Sequence, residues 1–263
     1  MRANQMGPIL NAAYARRSIR PNLVAATARP AVDAVLFDYG RTLVTFEYPT
    51  DDLIEVLRRF RPRIEDALGT PVPTAEAMLA GVLLPLEEHI ENPGEDEVNY
   101  LDVYGAAWRS AGLDLPADLL YEILDAEQLC WDRAVRVDAE AIPVLSWLGA
   151  RGIKRAVCSN APFPPEMMRR QVDANGVGEL MEAVLFSSEY GRRKPAPDLY
   201  RAALGALGVD AGRAVFVGDR VREDYDGPRA VGMRAVICTA HATDHPPDGI
   251  PTIASLSDLP GWL

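Results

Sequence analysis

The sequence is poor in lysine, cysteine and long apolar runs, and each shortage narrows the classes of protein it can encode. Only two of the 27 basic residues are lysines, Lys154 and Lys194, so a reaction that needs an amine has two candidates. The three cysteines, Cys130, Cys158 and Cys238, are widely spaced and form no CxxC pair, which favours a reduced, cytoplasmic compartment. No apolar run approaches the roughly eighteen residues of a membrane helix, so we expect no membrane partner.

Charge is unevenly distributed along the 263 residues, whose net charge is −11. Residues 1–32 contain five arginines and no acidic residue, and we predict that residues 1–31 form a disordered tail. The alternatives for this stretch are a targeting segment or a start codon placed ahead of the true one at Met6. The rest of the chain has an acidic excess, which argues against nucleic acid as a partner and favours a small molecule.

Five short apolar runs predict the strands of a parallel sheet. They are AVLFDYG (34–40), RAVCSN (155–160), AVLFSSEYG (183–191), RAVFVGD (213–219) and MRAVICT (233–239). Continuous apolar strands that alternate with helical stretches are typical of a sheet covered by helices on both faces. Two of those stretches, 139–152 and 196–209, are predicted to be helices that end near Gly152 and Gly208. The predicted fold class is therefore α/β, with a Rossmann-like parallel-sheet core.

Residues 46–135 break this alternation. No strand-like run is found there, and turns that contain proline or glycine separate four segments of helical periodicity. Those segments are 51–68, 75–90, 100–112 and 117–135. We therefore predict an all-helical domain inserted between the two parts of the α/β core, residues 32–45 and 136–263.

Aromatic residues of the insertion are expected to be structural. Tyr100, Tyr104, Trp108 and Trp131 follow a spacing that suits packing in the core of a helical domain. Lining of a substrate pocket by one or two of them is the alternative. The insertion carries no motif that identifies a substrate.

Ligands of an open α/β sheet bind outside the carboxyl ends of its strands. The polar residues at these ends, or in the loop after the third strand, are Asp38, Ser159, Asn160, Lys194, Asp219 and Asp224. The carboxylate of Asp38 is ionised at neutral pH, so it can act as a nucleophile without a base to activate it. A phosphoryl group that approaches this carboxylate needs a cation and hydrogen-bond donors, which Lys194 and Ser159 can supply. Asp219 and Asp224 offer the hard oxygen ligands that Mg²⁺ prefers.

Four motifs occur in order at these strand ends: FDYGRTL, VCSNA, RRKPAPDLY and VGDRVREDYDGPRAVGM. Together they resemble the motifs of the haloacid dehalogenase-like hydrolase superfamily, in its subgroup with a helical cap inserted after the first motif. The resemblance covers residues 33–240. It implies catalysis by Asp38, Ser159 and Lys194, and a Mg²⁺ site formed by Asp38, the backbone carbonyl of Gly40, Asp219 and Asp224. A small phosphorylated substrate is expected to contact Ser159, Asn160, Lys194, Thr42 and Arg41.

The first motif departs from the superfamily twice. Its phosphatases usually carry a second aspartate two residues after the nucleophile, where it protonates the leaving group, and this chain has Gly40 there. The next position is usually glycine and is Arg41 here. Such an acid is typically worth a factor of about 10²–10⁴ in rate. The sequence therefore predicts a slow phosphatase, one that favours aryl or acyl phosphates, or one that borrows its acid from the substrate or the cap.

Two alternatives stay open beside a Mg²⁺-dependent phosphatase. A protein that binds Mg²⁺ and a phosphorylated ligand with little or no turnover would also explain Gly40 and Arg41. A haloacid dehalogenase is the weaker alternative, because those enzymes generally replace the acidic fourth motif and this chain retains Asp219 and Asp224. Schiff-base chemistry with a cap lysine is excluded, because the insertion contains no lysine. The active form is expected to be a monomer or a homodimer.

Overall fold

The computed structural model describes residues 31–90 and 94–263, so the prediction of an N-terminal tail falls outside the described residues. In chain order the strands are β1 (Ala34–Phe37), β2 (Val44–Phe46), β3 (Val135–Val137), β4 (Lys154–Ser159), β5 (Ala183–Phe186), β6 (Ala214–Gly218), β7 (Arg234–Cys238) and β8 (Thr252–Ile253). The helices are α1 (Thr50–Leu68), α2 (Ala75–Met78), α3 (Leu84–Ile90), α4 (Tyr100–Ser110), α5 (Ala117–Ala134), α6 (Ala141–Gly149), α7 (Pro165–Ala174), α8 (Pro197–Leu207), α9 (Gly227–Ala230) and α10 (Leu259–Trp262).

Six strands form a parallel sheet in the order β5-β4-β1-β6-β7-β8. β1 lies inside the sheet, between β4 and β6, and all of its residues from Ala34 to Phe37 are buried. Parallel strands need long crossovers, and helices supply most of them, as the alternation in the sequence predicts. The predicted α/β fold is therefore confirmed. β8, which has only two residues, was not predicted.

The two faces of the sheet pack against different helices. Val35 and Phe37 belong to a hydrophobic cluster with α6 and α7 on one face. Ala34 and Leu36 pack with α8 on the other face. Because alternate residues of a strand point to opposite faces, a strand covered on both sides must be apolar throughout. This explains the uninterrupted apolar run of β1.

The helices α1 to α5, residues 50–134, share a hydrophobic cluster, and we call them the helical unit. This cluster is separate from the two clusters of the sheet and includes Tyr104 and Trp108, which are almost fully buried. The segment predicted as one helix at 75–90 consists of α2 and α3 joined by a π-helical turn, Leu79–Leu83. No helix in the described part of the chain is long and apolar enough to cross a membrane.

Two short strands at the ends of the insertion were not predicted. β2 and β3 pair antiparallel, with Val44 opposite Val137, and they connect the helical unit to the sheet. Each has three residues, one of them polar, so neither stands out as an apolar run. The prediction for α6 was also too long, because the helix ends at Gly149 and Gly152 lies in the following turn with a φ of +71°.

Candidate active site

The site lies at the carboxyl ends of the inner strands, where the register of β1 with its neighbours brings the strand ends together. Phe37, the last residue of β1, stands opposite residues of both β4 and β6. Asp38 follows directly, and its backbone N–H donates to the carbonyl of Val217 at 2.9 Å. Ser159 ends β4 and Asp219 follows β6, so both lie at the same edge of the sheet as Asp38.

Lys194 lies at the centre of this edge and is only 2% exposed. Its Nζ donates to Oδ1 of Asp38 and to Oδ1 of Asp224, both at 2.7 Å. Burial lowers the pKa of this amine, but the carboxylates of Asp224 and Asp38 outweigh burial and hold the pKa well above its ordinary value. Lys194 is therefore a fixed positive charge in the site.

The loop that carries Lys194 is anchored by Asn160. Oδ1 of Asn160 accepts a hydrogen bond from the backbone N–H of Lys194 at 2.8 Å. Nδ2 of Asn160 donates to the backbone carbonyl of Lys194 at 3.1 Å. Asn160, predicted to bind substrate, lines the site cavity and also positions the lysine backbone.

Two donors hold Asp38 in place. Oγ of Ser159 donates to Oδ1 of Asp38 at 2.9 Å, beside the bond from Lys194. Within residues 31–90 and 94–263, no hydrogen bond ends on the other carboxylate oxygen, Oδ2. One oxygen of Asp38 is therefore oriented by the protein, and the other is available to a ligand.

Three carboxylates, those of Asp38, Asp219 and Asp224, offer oxygens that all lie within 4.8 Å of one another. Oδ2 of Asp224 accepts from the backbone N–H groups of Asp219 and Arg220 at 3.0 and 2.9 Å. This close approach requires glycine at Gly218, because a Cβ there would lie 2.3 Å from Cγ of Asp224. By contrast, the buried Oδ2 of Asp219 has no hydrogen-bond partner among the described residues.

Burial and neighbouring charge raise the pKa of two of these carboxyl groups, those of Asp219 and Asp224. Burial and the charges of Asp38 and Asp224 raise the pKa of Asp219 to about 7. Burial also raises the pKa of Asp224 to about 6, although the charge of Lys194 opposes the shift. The unpartnered oxygen of Asp219 and the carboxylate oxygens of Asp38 and Asp224 are hard donors, and such a set fits Mg²⁺. The three predicted side-chain ligands thus lie together.

A cavity of about 250 Å³ contains the site, and its two sides differ in character. The sheet side carries the charged residues Asp38, Lys194, Asp219 and Asp224. The other side, which we call the apolar side, carries the apolar side chains Phe46, Ile90, Trp131, Val135 and Phe163. Polar side chains, those of Glu87, Gln128, Gln171 and Arg193, lie among them. With a cation held by the three carboxylates, which Lys194 alone does not neutralise, a cavity of this kind suits a small molecule with one anionic end.

The turn after β1 places Arg41 and Thr42 differently. Arg41 lines the cavity, and its backbone φ of +58° lies in the left-handed region, which costs a residue with a Cβ about 1–2 kcal/mol. Thr42 is buried, and its hydroxyl has no hydrogen-bond partner among the residues described. The turn directs this side chain into the protein interior, so the structure does not bring Thr42 to the cavity as predicted.

A model of the haloacid dehalogenase-like hydrolase family matches residues 32–232 of this sequence. The chain belongs to this family. The matched region includes Asp38, Ser159, Lys194 and the two further carboxylates of the site. The match therefore covers four of the six strands of the sheet, β1, β4, β5 and β6, and the functional residues at their carboxyl ends.

Individual members of the family that resemble this chain include phosphatases and a dehalogenase. Glyceraldehyde 3-phosphate phosphatase of Pyrococcus abyssi is 37% identical over 211 residues, which cover 78% of this chain and 80% of that protein. Phosphoserine phosphatase of Thermus thermophilus is 37% identical over 97 residues, and the match spans only 38% of that protein and 37% of this chain. The structure of a 2-haloacid dehalogenase from Pseudomonas syringae pv. Tomato DC3000 aligns with a TM-score of 0.64 and 24% identity over 88% of this chain and 100% of that one. This last likeness concerns the fold alone.

Gly40 stands where phosphatases of the family usually carry their second aspartate, and an aromatic ring lies beside it. A Cβ added at Gly40 would lie 3.4 Å from Cε1 of Phe46. Phe46 is 44% exposed and lines the cavity. Its ring meets that of Trp131 edge-on, with 5.9 Å between the centroids. The cavity therefore presents aromatic surface next to the position of the absent acid.

Sequence reasoning missed most of the apolar side of the cavity. Phe46 and Phe163 carry no motif, and Trp131, for which packing was expected, lines the cavity. Tyr100, Tyr104 and Trp108 are buried, as expected for packing residues. Helical periodicity separates the buried face of a helix from its exposed face, but it gives no signal for a cavity between two buried surfaces.

Proposed function

We propose that the chain is a Mg²⁺-dependent phosphatase that acts on a small phosphorylated metabolite. The observation that carries the proposal is Asp38, whose Oδ1 accepts hydrogen bonds from Ser159 and Lys194 beside two further carboxylates. The relatives named for glyceraldehyde 3-phosphate and phosphoserine support a phosphate ester as substrate. A cavity of about 250 Å³ with one charged side is consistent with substrates of that size.

In this proposal Mg²⁺ is held by Asp38, Asp219 and Asp224, together with the backbone carbonyl of Gly40. The unpartnered Oδ2 of Asp219 supports this choice, because a buried carboxylate oxygen without a donor is stabilised by a cation. When bound, Mg²⁺ supplies positive charge that stabilises negative charge on the phosphoryl oxygens.

Asp38 attacks the phosphorus atom, and the bond from phosphorus to the leaving oxygen breaks as the aspartyl phosphate forms. Ser159 orients the carboxylate through its single hydroxyl proton. Lys194 also orients it, and its third N–H can donate to a phosphoryl oxygen, where charge accumulates in the transition state. Water then attacks the aspartyl phosphate, so inorganic phosphate is released and the Asp38 carboxylate is restored. Asn160 acts indirectly, because its two hydrogen bonds fix the backbone of Lys194.

The leaving oxygen finds no protein acid at Gly40. The factor of about 10²–10⁴ that such an acid contributes is small beside the enhancement of up to about 10²¹ that enzymes achieve for phosphate esters. We therefore expect slow turnover of esters with poor leaving groups and faster turnover of aryl or acyl phosphates. A protein that binds phosphorylated ligands with little turnover is the second candidate, favoured by Gly40 and by the left-handed backbone of Arg41.

We also propose that the helical unit acts as a cap over the cavity. It is connected to the sheet by β2 and β3, and α5 contacts α7 through Arg170. The guanidinium of Arg170 binds Asp125 at 2.7 Å and Asp132 at 3.1 Å. Because Arg170 and Asp125 are partly exposed, the first of these two pairs contributes little to holding the helical unit closed. Opening would admit the substrate, and closure would exclude water.

The proposal is tested by assaying an aryl phosphate with and without Mg²⁺ in the wild type, in Asp38→Asn and in Asp114→Asn. Asp114 is the matched control because it is an exposed aspartate outside the cavity. We expect Mg²⁺-dependent release of phosphate that is lost in Asp38→Asn and retained in the control.

Two other results would replace the proposal. Tight Mg²⁺ binding without turnover of any ester in a panel of phosphates would contradict the phosphatase and favour the second candidate. Halide release from a 2-haloacid in the absence of metal would identify a dehalogenase.

A further inference from the structure

The apolar side of the cavity indicates which leaving group the site accepts. We propose that the substrate is a phosphate ester of a flat, apolar alcohol, best represented by a phenol, whose ring is seated on Phe46 and Trp131. This inference rests on the proposed phosphatase function and adds the chemical class of the leaving group.

Phe46 lies beside Gly40, the position from which an acid would reach the leaving group. Its Cε1 would be 3.4 Å from a Cβ at Gly40, two residues after the nucleophile. It is 44% exposed and lines the cavity, so a ligand in the cavity can cover apolar surface that water otherwise contacts. Trp131 meets Phe46 edge-on at 5.9 Å and meets Tyr48 in the same way at 5.2 Å. These ring contacts hold the aromatic surface in a defined position.

Three polar side chains on this side of the cavity donate hydrogen bonds to other parts of the protein. Nε2 of Gln128 and Nε2 of Gln171 both donate to Oδ1 of Asp132, at 3.2 and 3.0 Å. Arg193 donates to the carbonyl of Ile90 at 2.8 Å. These bonds hold the three side chains in place but use only part of their hydrogen-bonding capacity. The preference for an aromatic ring therefore rests on the exposed ring surface of Phe46 beside Gly40.

Glu87 is the carboxylate on this side of the cavity. It can accept a hydrogen bond from one polar substituent on the ring of the leaving group.

The chemistry of the site favours the same class for a separate reason. Without an acid at Gly40 the leaving oxygen departs as an anion, so its basicity limits the rate. A phenol has a pKa of about 10, whereas water, which simple alcohols resemble, has a pKa of about 15.7. A phenolate can therefore leave as the bond from phosphorus to Asp38 forms, and it takes its proton from solvent afterwards if the pH requires it. The absent acid and the aromatic surface beside it select the same esters.

Binding of non-hydrolysable phosphonates tests this inference apart from turnover. Benzylphosphonate and methylphosphonate are titrated by calorimetry with Mg²⁺ present, using the wild type, Phe46→Ala, Phe46→Leu and Leu101→Ala. Leu101 is the matched control because it is an apolar side chain of similar exposure, 46%, outside the cavity. We expect the wild type and the control to bind benzylphosphonate about tenfold more tightly than methylphosphonate. This ratio should fall towards one in Phe46→Ala and to an intermediate value in Phe46→Leu.

Equal affinity of the wild type for the two phosphonates would overturn the inference, and so would a ratio that survives in Phe46→Ala. If Phe46→Ala does not fold, the wild-type ratio and Phe46→Leu decide the question. Turnover is measured separately with acetyl phosphate and phenyl phosphate. Turnover of acetyl phosphate alone would retain the phosphatase and overturn the aryl leaving group. A tenfold preference for benzylphosphonate without turnover of either ester would contradict the proposed phosphatase activity. It would support the surface of Phe46 and Trp131 as a binding site for an aromatic ring.

Discussion

Two buried carboxyl groups, those of Asp224 and Glu127, lie in different surroundings. Asp224 lies at the edge of the sheet, 2.7 Å from the amine of Lys194, and accepts two hydrogen bonds from backbone N–H groups. Glu127 lies in the helical unit, where Oε2 accepts from the hydroxyl of Tyr104 at 3.0 Å and Oε1 has no partner among the described residues. Burial raises the pKa of both, to about 6 for Asp224 and about 8 for Glu127.

The difference shows where the interior can keep a charge at neutral pH. A buried carboxylate stays ionised where a cation lies beside it and takes up a proton where none does. The sheet edge therefore offers charge to a ligand. The interior around Glu127 is largely neutral at neutral pH, and the helical unit brings both the ring of Trp131 and the carboxylate of Glu87 to the cavity. In the proposed function the phosphoryl group meets the first region and the leaving group meets the second.

Removal of the amine of Lys194 would take away the cation that keeps the carboxylates at the sheet edge ionised. In Lys194→Met, Asp38 and Asp224 lose their shared cation, and loss of one partner of a buried pair costs about 3–5 kcal/mol. We expect the free energy of unfolding, measured by urea denaturation in EDTA, to fall by that amount. Lys154→Met alters the only other lysine, which is exposed, and should cost less than about 1 kcal/mol. Equal losses in the two variants would show that the amine does not stabilise the site.

A carboxylate added at Gly40 would supply an acid for the leaving group beside the aromatic ring of Phe46. Gly40 does not have a positive φ, and a Cβ there would lie 3.4 Å from Cε1 of Phe46, so the backbone accepts a side chain at this position. In Gly40→Asp we expect kcat for an alkyl phosphate to rise about 10²-fold and kcat for an aryl phosphate to rise far less. Gly40→Asn has the same shape without the acid and should show neither gain. A similar gain for both esters would contradict the role assigned to the missing acid.

Replacement of Glu127 by glutamine would remove the buried carboxyl group of the helical unit whose pKa is raised to about 8. Because its pKa in the folded protein, about 8, lies above its ordinary value of 4.5, the folded state binds the proton more tightly. Stability contributed by this proton is present at low pH and is lost as the pH rises towards 8. Glu127→Gln should therefore gain about 2–3 kcal/mol in unfolding free energy relative to the wild type between pH 5 and pH 7. A difference that stays constant across this range would indicate that Glu127 is already ionised in the folded protein.

The smallest expected effect concerns the backbone of Arg41. Its φ of +58° is unfavourable for any residue with a Cβ, and glycine adopts it freely. Arg41→Gly should exceed Arg41→Ala in unfolding free energy by about 1 kcal/mol, measured by urea denaturation. The alanine variant controls for loss of the side chain, so equal stability of the two would mean that the turn relaxes to another conformation.

The residues of the sheet edge could be predicted because each belongs to a local pattern. Asp38 and Asp219 directly follow apolar runs and Ser159 ends one, and the rule for parallel sheets brings strand ends together whatever the strand order. Thr42 shows the limit, because its place in a motif does not determine which way its side chain points in a turn. Phe46 and Trp131 lie far apart in the sequence and approach each other near the pairing of β2 with β3, which has no apolar pattern to reveal it.

The most direct test of Asp38 as the nucleophile is detection of a phosphate group bound covalently to this residue. The wild type and Asp38→Asn are mixed with an aryl phosphate and Mg²⁺, quenched in acid during turnover, digested and examined by mass spectrometry. We predict a phosphate group on the wild-type peptide that contains Asp38 and none on the same peptide of the variant. Turnover without this adduct, or an adduct on a different residue, would contradict the assignment of Asp38 as the nucleophile.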